Sequence, residues 1–181
     1  DAGDLQHGQS GGASGRGGAA PEQQGDTLFA DMIAAYADLP EDFKRRLDGL
    51  QALHDYAMAD EVSAATGAKR APLSEAEKKQ VPPVAHPLVR VHPETGRKAL
   101  YISPGYTRRI LGVSESESAA LMARIFDHCL QDRYRFTYKW RAGDVVVWDN
   151  AAVIHSATTL FQPPVGPRTL WRTIISGAAP R

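Results

Sequence analysis

The sequence has little cysteine, no net charge and no long apolar run. Its 181 residues contain one cysteine, Cys129, which excludes an internal disulfide framework and any zinc site built from several cysteines. Lysine and arginine together number 21, as do aspartate and glutamate. This balance argues against a nucleic-acid binder held by bulk charge and against a polybasic membrane anchor. No apolar stretch approaches the roughly 20 residues that a membrane-spanning helix requires.

The start of the chain differs in composition from the rest. Residues 1–26 contain eight of the 16 glycines, and Leu5 is the only large aliphatic residue among them. Such a segment buries too little apolar surface to offset the entropy of ordering it. We therefore predict a flexible Gly-rich leader over residues 1–24 and an ordered domain over residues 25–181. The first 26 residues lack the basic start and apolar run of a secretory signal, so we expect a cytoplasmic protein.

Helical spacing of apolar residues predicts two helices at the start of the ordered part. Asp26 or Thr27 is expected to cap a helix that ends near Leu39. Pro40 suits the first position of a second helix, over about 41–55. Residues 58–83 have weak periodicity and predict a mobile excursion.

The apolar period then changes to two. Residues 88–91 and 99–102 flank a turn in which Gly96 supplies the positive φ that a hairpin needs. Ser114 and Glu117 predict a capping box ahead of a helix over about 115–130. Further strands are predicted at 136–140, at 145–148 (buried) and at 168–175. Helices followed by antiparallel strands indicate an α+β fold whose sheet closes into a sandwich or barrel.

One of the six histidines stands out by its position. His155 follows the predicted strand 145–148 and the polar turn Asp149–Asn150, and Arg168 and Arg172 come after it. A spacing of four residues places both arginines on one face of a strand. Two guanidiniums and an imidazole inside a barrel require an anionic partner, and arginine suits bidentate capture of a carboxylate or sulfonate. The alternative is an ordinary strand whose arginines face water.

Several segments, in order, resemble the taurine dioxygenase family of Fe(II)/2-oxoglutarate-dependent oxygenases. The run His86–Tyr101 is similar to the family's hairpin, and Gly25–Phe29 is similar to the segment that opens the helix after its iron-bearing strand. Trp148–Asn150 with His155, followed by Arg168–Arg172, resembles its C-terminal signature. The resemblance extends from about Gly25 to Arg172, and the motifs are specific together.

The resemblance implies a double-stranded β-helix (jelly roll) that is incomplete at its N-terminus. It also implies Fe(II) and 2-oxoglutarate as cofactors, with the iron held by two histidines and one carboxylate. Carried over by position, His155, Arg168 and Arg172 are the catalytic residues. His155 is also a metal ligand, and Arg168 and Thr27 bind 2-oxoglutarate. Arg172 binds the anionic head of the substrate, and Tyr106 packs against that substrate. The implied reaction hydroxylates a small organic anion such as a sulfonate, consumes dioxygen and releases succinate and carbon dioxide.

The sequence departs from the family at the other two iron ligands. The family has a His-x-Asp motif some two dozen residues before Thr27, and this chain has no His-x-Asp. Asp1 and Asp4 lie near the expected distance, but neither has a histidine two places before it. His92–Glu94 has the form His-x-Glu, yet it falls in the hairpin turn, where the family has no metal ligand. His54 also matches a family pattern, and there we expect packing.

The chain is therefore expected to be the C-terminal part of a taurine dioxygenase-like catalytic domain, incomplete as a catalyst. One alternative is a non-catalytic remnant that binds 2-oxoglutarate-like anions or a partner subunit. Another is a gene fragment without a stable fold. We expect a small anionic substrate and dioxygen as partners, and neither nucleic acid nor membrane. Whether the chain forms a homo-oligomer is left open.

Overall fold

A computed structural model describes residues 25–66, 72–158 and 170–173. Its helices and strands follow one another as β1 (Thr27–Asp31), α1 (Met32–Ala37), α2 (Glu41–Leu47), β2 (Gln51–His54), α3 (Met58–Thr66), α4 (Glu75–Gln80), β3 (Val84–Pro87), β4 (Val89–Val91), β5 (Lys98–Leu100), β6 (Thr107–Leu111), α5 (Glu115–Cys129), a short 3-10 helix (Asp132–Tyr134), β7 (Arg135–Tyr138) and β8 (Val153–Ala157).

The strands form antiparallel sheets. The first sheet has the order β7-β1-β8, the second has the order β3-β2-β6, and β4 and β5 form a separate hairpin. Together with the five helices this gives an α+β fold, as predicted. Within the described residues these strands form open sheets and do not close into a barrel.

The core lies between the first sheet, the hairpin and helices α1 and α5. Helix α1 packs against β5, β8 and α5, and α5 packs against β6. Strands β1 and β8 direct Ala30 and Ile154 toward this core. The largest fully buried side chains are Met32, Leu47, Leu88, Leu100, Ile102, Ile110, Ile125, Thr107 and Cys129. One face of the first sheet is thereby occupied, and the other face remains for other contacts.

The first predicted helix is wrong over its first turn. Residues 27–31 form β1, which is hydrogen-bonded to β7 on one side and β8 on the other. The helix begins only at Met32, and its cap is Asp31 instead of Asp26 or Thr27. Asp31 Oδ1 accepts the backbone N–H groups of Ile33 and Ala34, each at 2.9 Å, which satisfies two donors that a helix N-terminus leaves unpaired.

The second predicted helix is too long, because its second half is a strand. Helix α2 ends at Leu47, and Gly49 takes a φ of +75° that turns the chain into β2. The segment predicted to be a mobile excursion contains α3 and α4. Ser74 caps α4 with a complete capping box to Glu77, which explains a helix where apolar periodicity is weak.

The predicted hairpin is confirmed. Strands β4 and β5 pair across a turn in which Gly96 has a φ of +69°. The prediction of a helix after Ser114 is also confirmed, since α5 spans Glu115–Cys129 and Ser114 Oγ accepts the N–H of Glu117. The side chain of Glu117 instead pairs with Arg46 of α2.

The predicted buried strand at 145–148 is wrong. The described structure assigns no strand there, and Val145 and Val147 are 88% and 87% exposed. Val146 and Trp148 are half-buried, so the segment has one sheltered side. A continuous apolar run is typical of a strand covered on both faces, and the described residues supply cover on only one of them. Of the predicted strand at 168–175, only residues 170–173 are described, and they are exposed and not in a strand.

The helices in the described ranges are also too short or too polar to cross a bilayer.

Candidate active site

The central strand of the first sheet aligns the candidate residues on one face. In the register of β1 and β8, Phe29 is directly opposite His155, and Thr27 is opposite Ala157. Cross-strand partners project to the same side of a sheet, and alternate residues along a strand share that side. Thr27, Phe29 and His155 therefore lie on the face opposite to Ala30 and Ile154, which contact the core. The strand register thus places Thr27 and His155 on the same face of the first sheet.

Thr27 is held by a tryptophan from the loop after β7. The residue is 7% exposed, and the Nε1–H of Trp140 donates to Thr27 Oγ1 at 2.9 Å. A threonine hydroxyl that accepts one hydrogen bond still has its own proton to donate. The contact fixes the rotamer of Thr27 and leaves its O–H available to an acceptor such as a carboxylate.

His155 lies against two aromatic rings. Its imidazole centroid is 5.0 Å from the ring of Trp148 and 6.1 Å from that of Phe29. The pKa of His155 is lowered, first by desolvation of the crowded ring and second by the positive charge of Arg172. The residue as a whole is exposed, while the rings of Trp148 and Phe29 cover part of its imidazole. Desolvation and the Arg172 charge both favour the neutral imidazole, which is the form that can coordinate a metal.

Of the two candidate arginines, Arg172 is among the described residues and Arg168 is not. Arg172 is exposed, and its positive charge is the second cause of the lowered pKa of His155. Arg168 lies outside the described residues, and its predicted position beside Arg172 stays a prediction. The role of either guanidinium in binding an anion is likewise a prediction.

An aromatic cavity adjoins the His155 face of the sheet. Its volume is about 330 Å³, and its lining includes Phe29, Phe136, Tyr138, Trp148 and Val153. A larger depression of about 480 Å³ lies at the C-terminal end of α5, where Leu130 and Arg135 contribute to its lining. Arg135 is the cross-strand partner of Ala30, so this second depression is on the other side of the sheet. Of these two depressions, the smaller one lies on the His155 side of the sheet, and its lining residues Phe29 and Trp148 are the two rings next to the imidazole.

The described residues do not provide a three-ligand metal centre. No three His, Cys, Asp or Glu side chains converge within ranges 25–66, 72–158 and 170–173. The His-x-Glu at His92–Glu94 is excluded by its contacts. His92 Nε2 is 2.7 Å from Asp149 Oδ2, and His92 Nδ1 accepts the backbone N–H groups of Glu94 and Thr95. Both ring nitrogens are therefore already used, and His155 is the one predicted ligand that the described structure contains. Asp1 and Asp4 lie outside the described residues.

Tyr106 lies in the turn that leads into the second sheet. It precedes β6 and stacks on Tyr56, with ring centroids 5.9 Å apart and an interplanar angle of 12°. The Asp55 N–H donates to the Tyr106 carbonyl at 2.8 Å, which anchors the turn. Thr27 and His155 lie in the first sheet, so the predicted contact of Tyr106 with a substrate stays a prediction. His54, expected to pack, is buried beside Tyr101 with centroids 4.8 Å apart.

Three contacts near the site were not predicted from the sequence. They are the Trp140–Thr27 hydrogen bond, the His92–Asp149 pair and the bonds from Arg90 to the loop after Trp148. Arg90 and His92 are 9% and 5% exposed although they lie next to a hairpin turn. Their polar side chains alternate with Val89 and Val91 along β4. That alternation was the available signal, since a strand places alternate residues on opposite faces.

Comparison with known proteins identifies the family. Residues 18–174 match the family described as "Taurine catabolism dioxygenase TauD, TfdA family". An alpha-ketoglutarate-dependent 2,4-dichlorophenoxyacetate dioxygenase of Burkholderia sp. (strain RASC) is 40% identical over 135 residues, which are 75% of this chain and 43% of that protein. An alpha-ketoglutarate-dependent sulfate ester dioxygenase of Pseudomonas putida is 34% identical over 163 residues, 89% of this chain and 53% of that protein. The chain spans about half the length of the curated relatives it matches.

Solved structures give the same result. A taurine dioxygenase from Burkholderia xenovorans is similar with a TM-score of 0.61 and 34% identity, over 76% of this chain and 42% of that one. The structure of AAD-2 in complex with Mn(II) and N-oxalylglycine is similar with a TM-score of 0.64 and 32% identity, over 76% of this chain and 51% of that one. The chain described here therefore belongs to the TauD/TfdA dioxygenase family.

Proposed function

We propose that residues 25–181 correspond to the C-terminal part of a 2-oxoglutarate-dependent dioxygenase domain of the jelly-roll type, preceded by the Gly-rich leader 1–24. The reaction is the oxidative decarboxylation of 2-oxoglutarate to succinate and carbon dioxide, coupled to hydroxylation of a small organic anion. Names of the relatives support a sulfonate, a sulfate ester or a phenoxyacetate as the substrate class. The observation that carries the proposal is the shared face of Thr27 and His155 beside an aromatic cavity.

The chain's own residues have distinct parts in this proposal. The Thr27 hydroxyl, oriented by Trp140, donates to a carboxylate of 2-oxoglutarate, and Arg168 pairs with the same group. Arg172 attracts the anionic head of the substrate. His155 provides a neutral imidazole for Fe(II), the metal that the family implies. The described residues do not complete the set of ligands for that metal.

That incomplete ligand set favours a second candidate function. A non-catalytic module would keep the anion-binding residues Thr27, Arg168 and Arg172 and bind 2-oxoglutarate without a metal. Charge-assisted hydrogen bonds from arginine to a carboxylate do not require a metal ion.

Calorimetry with 2-oxoglutarate, in the presence and absence of Fe(II), separates the two functions. Binding that strengthens with Fe(II), together with succinate release that depends on both iron and 2-oxoglutarate, supports the dioxygenase. Binding of the same strength with and without Fe(II), and no succinate above the buffer control, supports the anion-binding module. Absence of 2-oxoglutarate binding in a chain that unfolds cooperatively contradicts both.

A further inference from the structure

The loop that leads into β8 is held from outside by the β4–β5 hairpin. On the hairpin, Arg90 Nε donates to the carbonyl of Ala151 at 3.1 Å, and Arg90 also donates to the carbonyl of Asn150. His92 Nε2 lies 2.7 Å from Asp149 Oδ2. Three consecutive loop residues are thus bound by two hairpin side chains that are themselves buried. Buried polar side chains are retained where they are hydrogen-bonded, and here the partner is the loop.

The hydrogen bonds around His92 fix its tautomer. The backbone N–H groups of Glu94 and Thr95 point at His92 Nδ1, at 3.2 and 3.3 Å, so Nδ1 is an acceptor. A neutral imidazole that accepts at one nitrogen carries its proton on the other. His92 Nε2–H is therefore the donor to Asp149.

Asp149 connects this donor with the conformation of the loop. Its second oxygen, Oδ1, accepts the N–H of Ala151 at 2.7 Å, and its carbonyl accepts the N–H groups of Ala152 and Val153, each at 3.1 Å. Desolvation raises the pKa of Asp149, but the Ala151 N–H, His92 and Arg90 outweigh it and leave that pKa below its usual value. Asp149 accordingly stays ionised and accepts hydrogen bonds with both oxygens.

The residues on either side of Asp149 are those that matter for the site. Trp148 precedes it, and its ring is 5.0 Å from His155. Val153, at the end of the loop, begins β8 and pairs with Asp31 of β1. His155 follows two residues later on the same strand. A change in the loop therefore displaces both the ring that packs on the imidazole and the strand that carries it.

We propose that His92 and Asp149 are a positioning pair, which together with Arg90 fixes the loop that presents His155 and Trp148 to the site. Neither side chain has to touch a ligand for this role. The importance of this pair for catalysis rests on the proposed function, because the role of His155 as a metal ligand is part of that proposal. The hydrogen bonds that fix the loop need no ligand.

Hydrogen–deuterium exchange of the full chain, without metal or 2-oxoglutarate, tests the pair. Asp149→Asn keeps one oxygen but places an amide N–H against either His92 or Ala151, whichever way the amide is turned. We expect the Ala152 and Val153 amides to exchange roughly tenfold faster. This factor corresponds to the low end of the energy range for losing a hydrogen bond to a charged group, because the Asp149 side chain is half-exposed. Asp149 lies at the surface, so this variant tests the loop without disturbing the core.

Three further variants complete the design. His92→Phe removes the donor and is expected to match Asp149→Asn, whereas His92→Gln retains an N–H near the Nε2 position and is expected to restore slow exchange. Lys98→Ala is the matched control. Lys98 lies on the same hairpin as His92, and the substitution breaks its solvent-exposed ion pair with Asp48. We expect that control to leave loop exchange unchanged.

Two readouts distinguish positioning from a general loss of stability. In Asp149→Asn, the imidazole ¹⁵N signals of His155 are expected to shift while those of His128, bound to the carbonyl of Ala35, stay in place. Amides of β2 and β6 are expected to keep their exchange rates. The proposal is overturned if exchange at Ala152 and Val153 is unchanged, if β2 and β6 accelerate equally, or if the His155 signals do not move. If the unmodified chain does not bind 2-oxoglutarate, the proposed function is contradicted, but the exchange and NMR measurements still decide whether the pair positions the loop.

Discussion

Phe29 and His155 are direct cross-strand partners in β1 and β8, with ring centroids 6.1 Å apart. Trp148 closes the group, with its ring 5.5 Å from that of Phe29 and 5.0 Å from that of His155. Phe29 and Trp148 crowd the imidazole, and desolvation is the larger of the two causes that lower the pKa of His155. Phe29 and Trp148 also line the aromatic cavity on that face.

Removal of the Trp148 ring is expected to weaken the fold and to raise the pKa of His155. Trp148→Ala exposes Phe29 and His155 to water, so the pKa of His155 moves toward 6.5. Because Trp148 is half-buried, we expect a loss of about 2 kcal/mol in the free energy of unfolding, below the range for a fully buried tryptophan. Chemical denaturation and an NMR titration of His155 measure the two effects. Trp171→Ala is the control, since Trp171 is 96% exposed and its loss should change neither quantity.

Desolvation of His155 and the positive charge of Arg172 are together expected to make stability depend on pH. Because the pKa of His155 is lowered in the folded state, the unfolded chain binds more protons below pH 6.5. Stability therefore rises with pH up to about that value and is lost as pH falls through the folded pKa. Arg172→Gln removes one cause of the shift and is expected to flatten this dependence. Urea unfolding at a series of pH values measures it, and an unchanged slope would contradict the assigned interaction.

Local features of the fold were predictable from the sequence, and features set by distant partners were not. The β4–β5 hairpin and the start of α5 depend on Gly96 and Ser114, whose effects lie within a few residues. Thr27–Asp31 instead has apolar spacing that continues into α1. It becomes a strand because β7 and β8, more than a hundred residues later, supply its hydrogen bonds. No local pattern contains that information.

The same division holds for the candidate site. His155, Arg168 and Arg172 could be selected from the residue pattern, and the family resemblance supplied Thr27. The hydrogen bond from Trp140 to Thr27 and the bond from His92 to Asp149 join residues 113 and 57 positions apart. Spacing alone could not have indicated either contact, because each depends on how separate sheets and loops come together.

Thr27 can be separated into its two hydrogen-bonding roles. Thr27→Val removes the hydroxyl, so we expect roughly tenfold weaker 2-oxoglutarate binding and a loss of about 1 kcal/mol in stability from the unpaired Trp140 N–H. Thr27→Ser retains the hydroxyl and is expected to keep both within about threefold and about 0.5 kcal/mol. Calorimetry and denaturation measure these effects. Weakened binding in Thr27→Ser equal to that in Thr27→Val would argue against donation by the hydroxyl.

Cys129 is expected to be inert in the folded protein. It is fully buried at the end of α5, and burial raises the pKa of its thiol to about 12. The thiolate is the reactive form, so at pH 8 an alkylating reagent should label the native chain negligibly and the denatured chain rapidly. Mass spectrometry of the labelled protein measures the difference. Fast labelling under native conditions would mean that the C-terminal end of α5 opens readily.

Substitutions of Arg168 and His155 are expected to affect 2-oxoglutarate binding differently with and without Fe(II). This difference separates the dioxygenase from the anion-binding module. Arg168 lies outside the described residues, and its proposed partner is the far carboxylate of 2-oxoglutarate. Loss of a bidentate arginine–carboxylate pair in Arg168→Ala is expected to weaken binding roughly ten- to a hundredfold, whether or not Fe(II) is present. Arg168→Lys keeps the charge but not the planar fork, so partial recovery is expected. His155→Ala should leave metal-free binding nearly unchanged and abolish any enhancement by Fe(II). If His155→Ala weakens metal-free binding as much as Arg168→Ala does, the imidazole contacts the anion itself, and its assignment as a metal ligand is wrong.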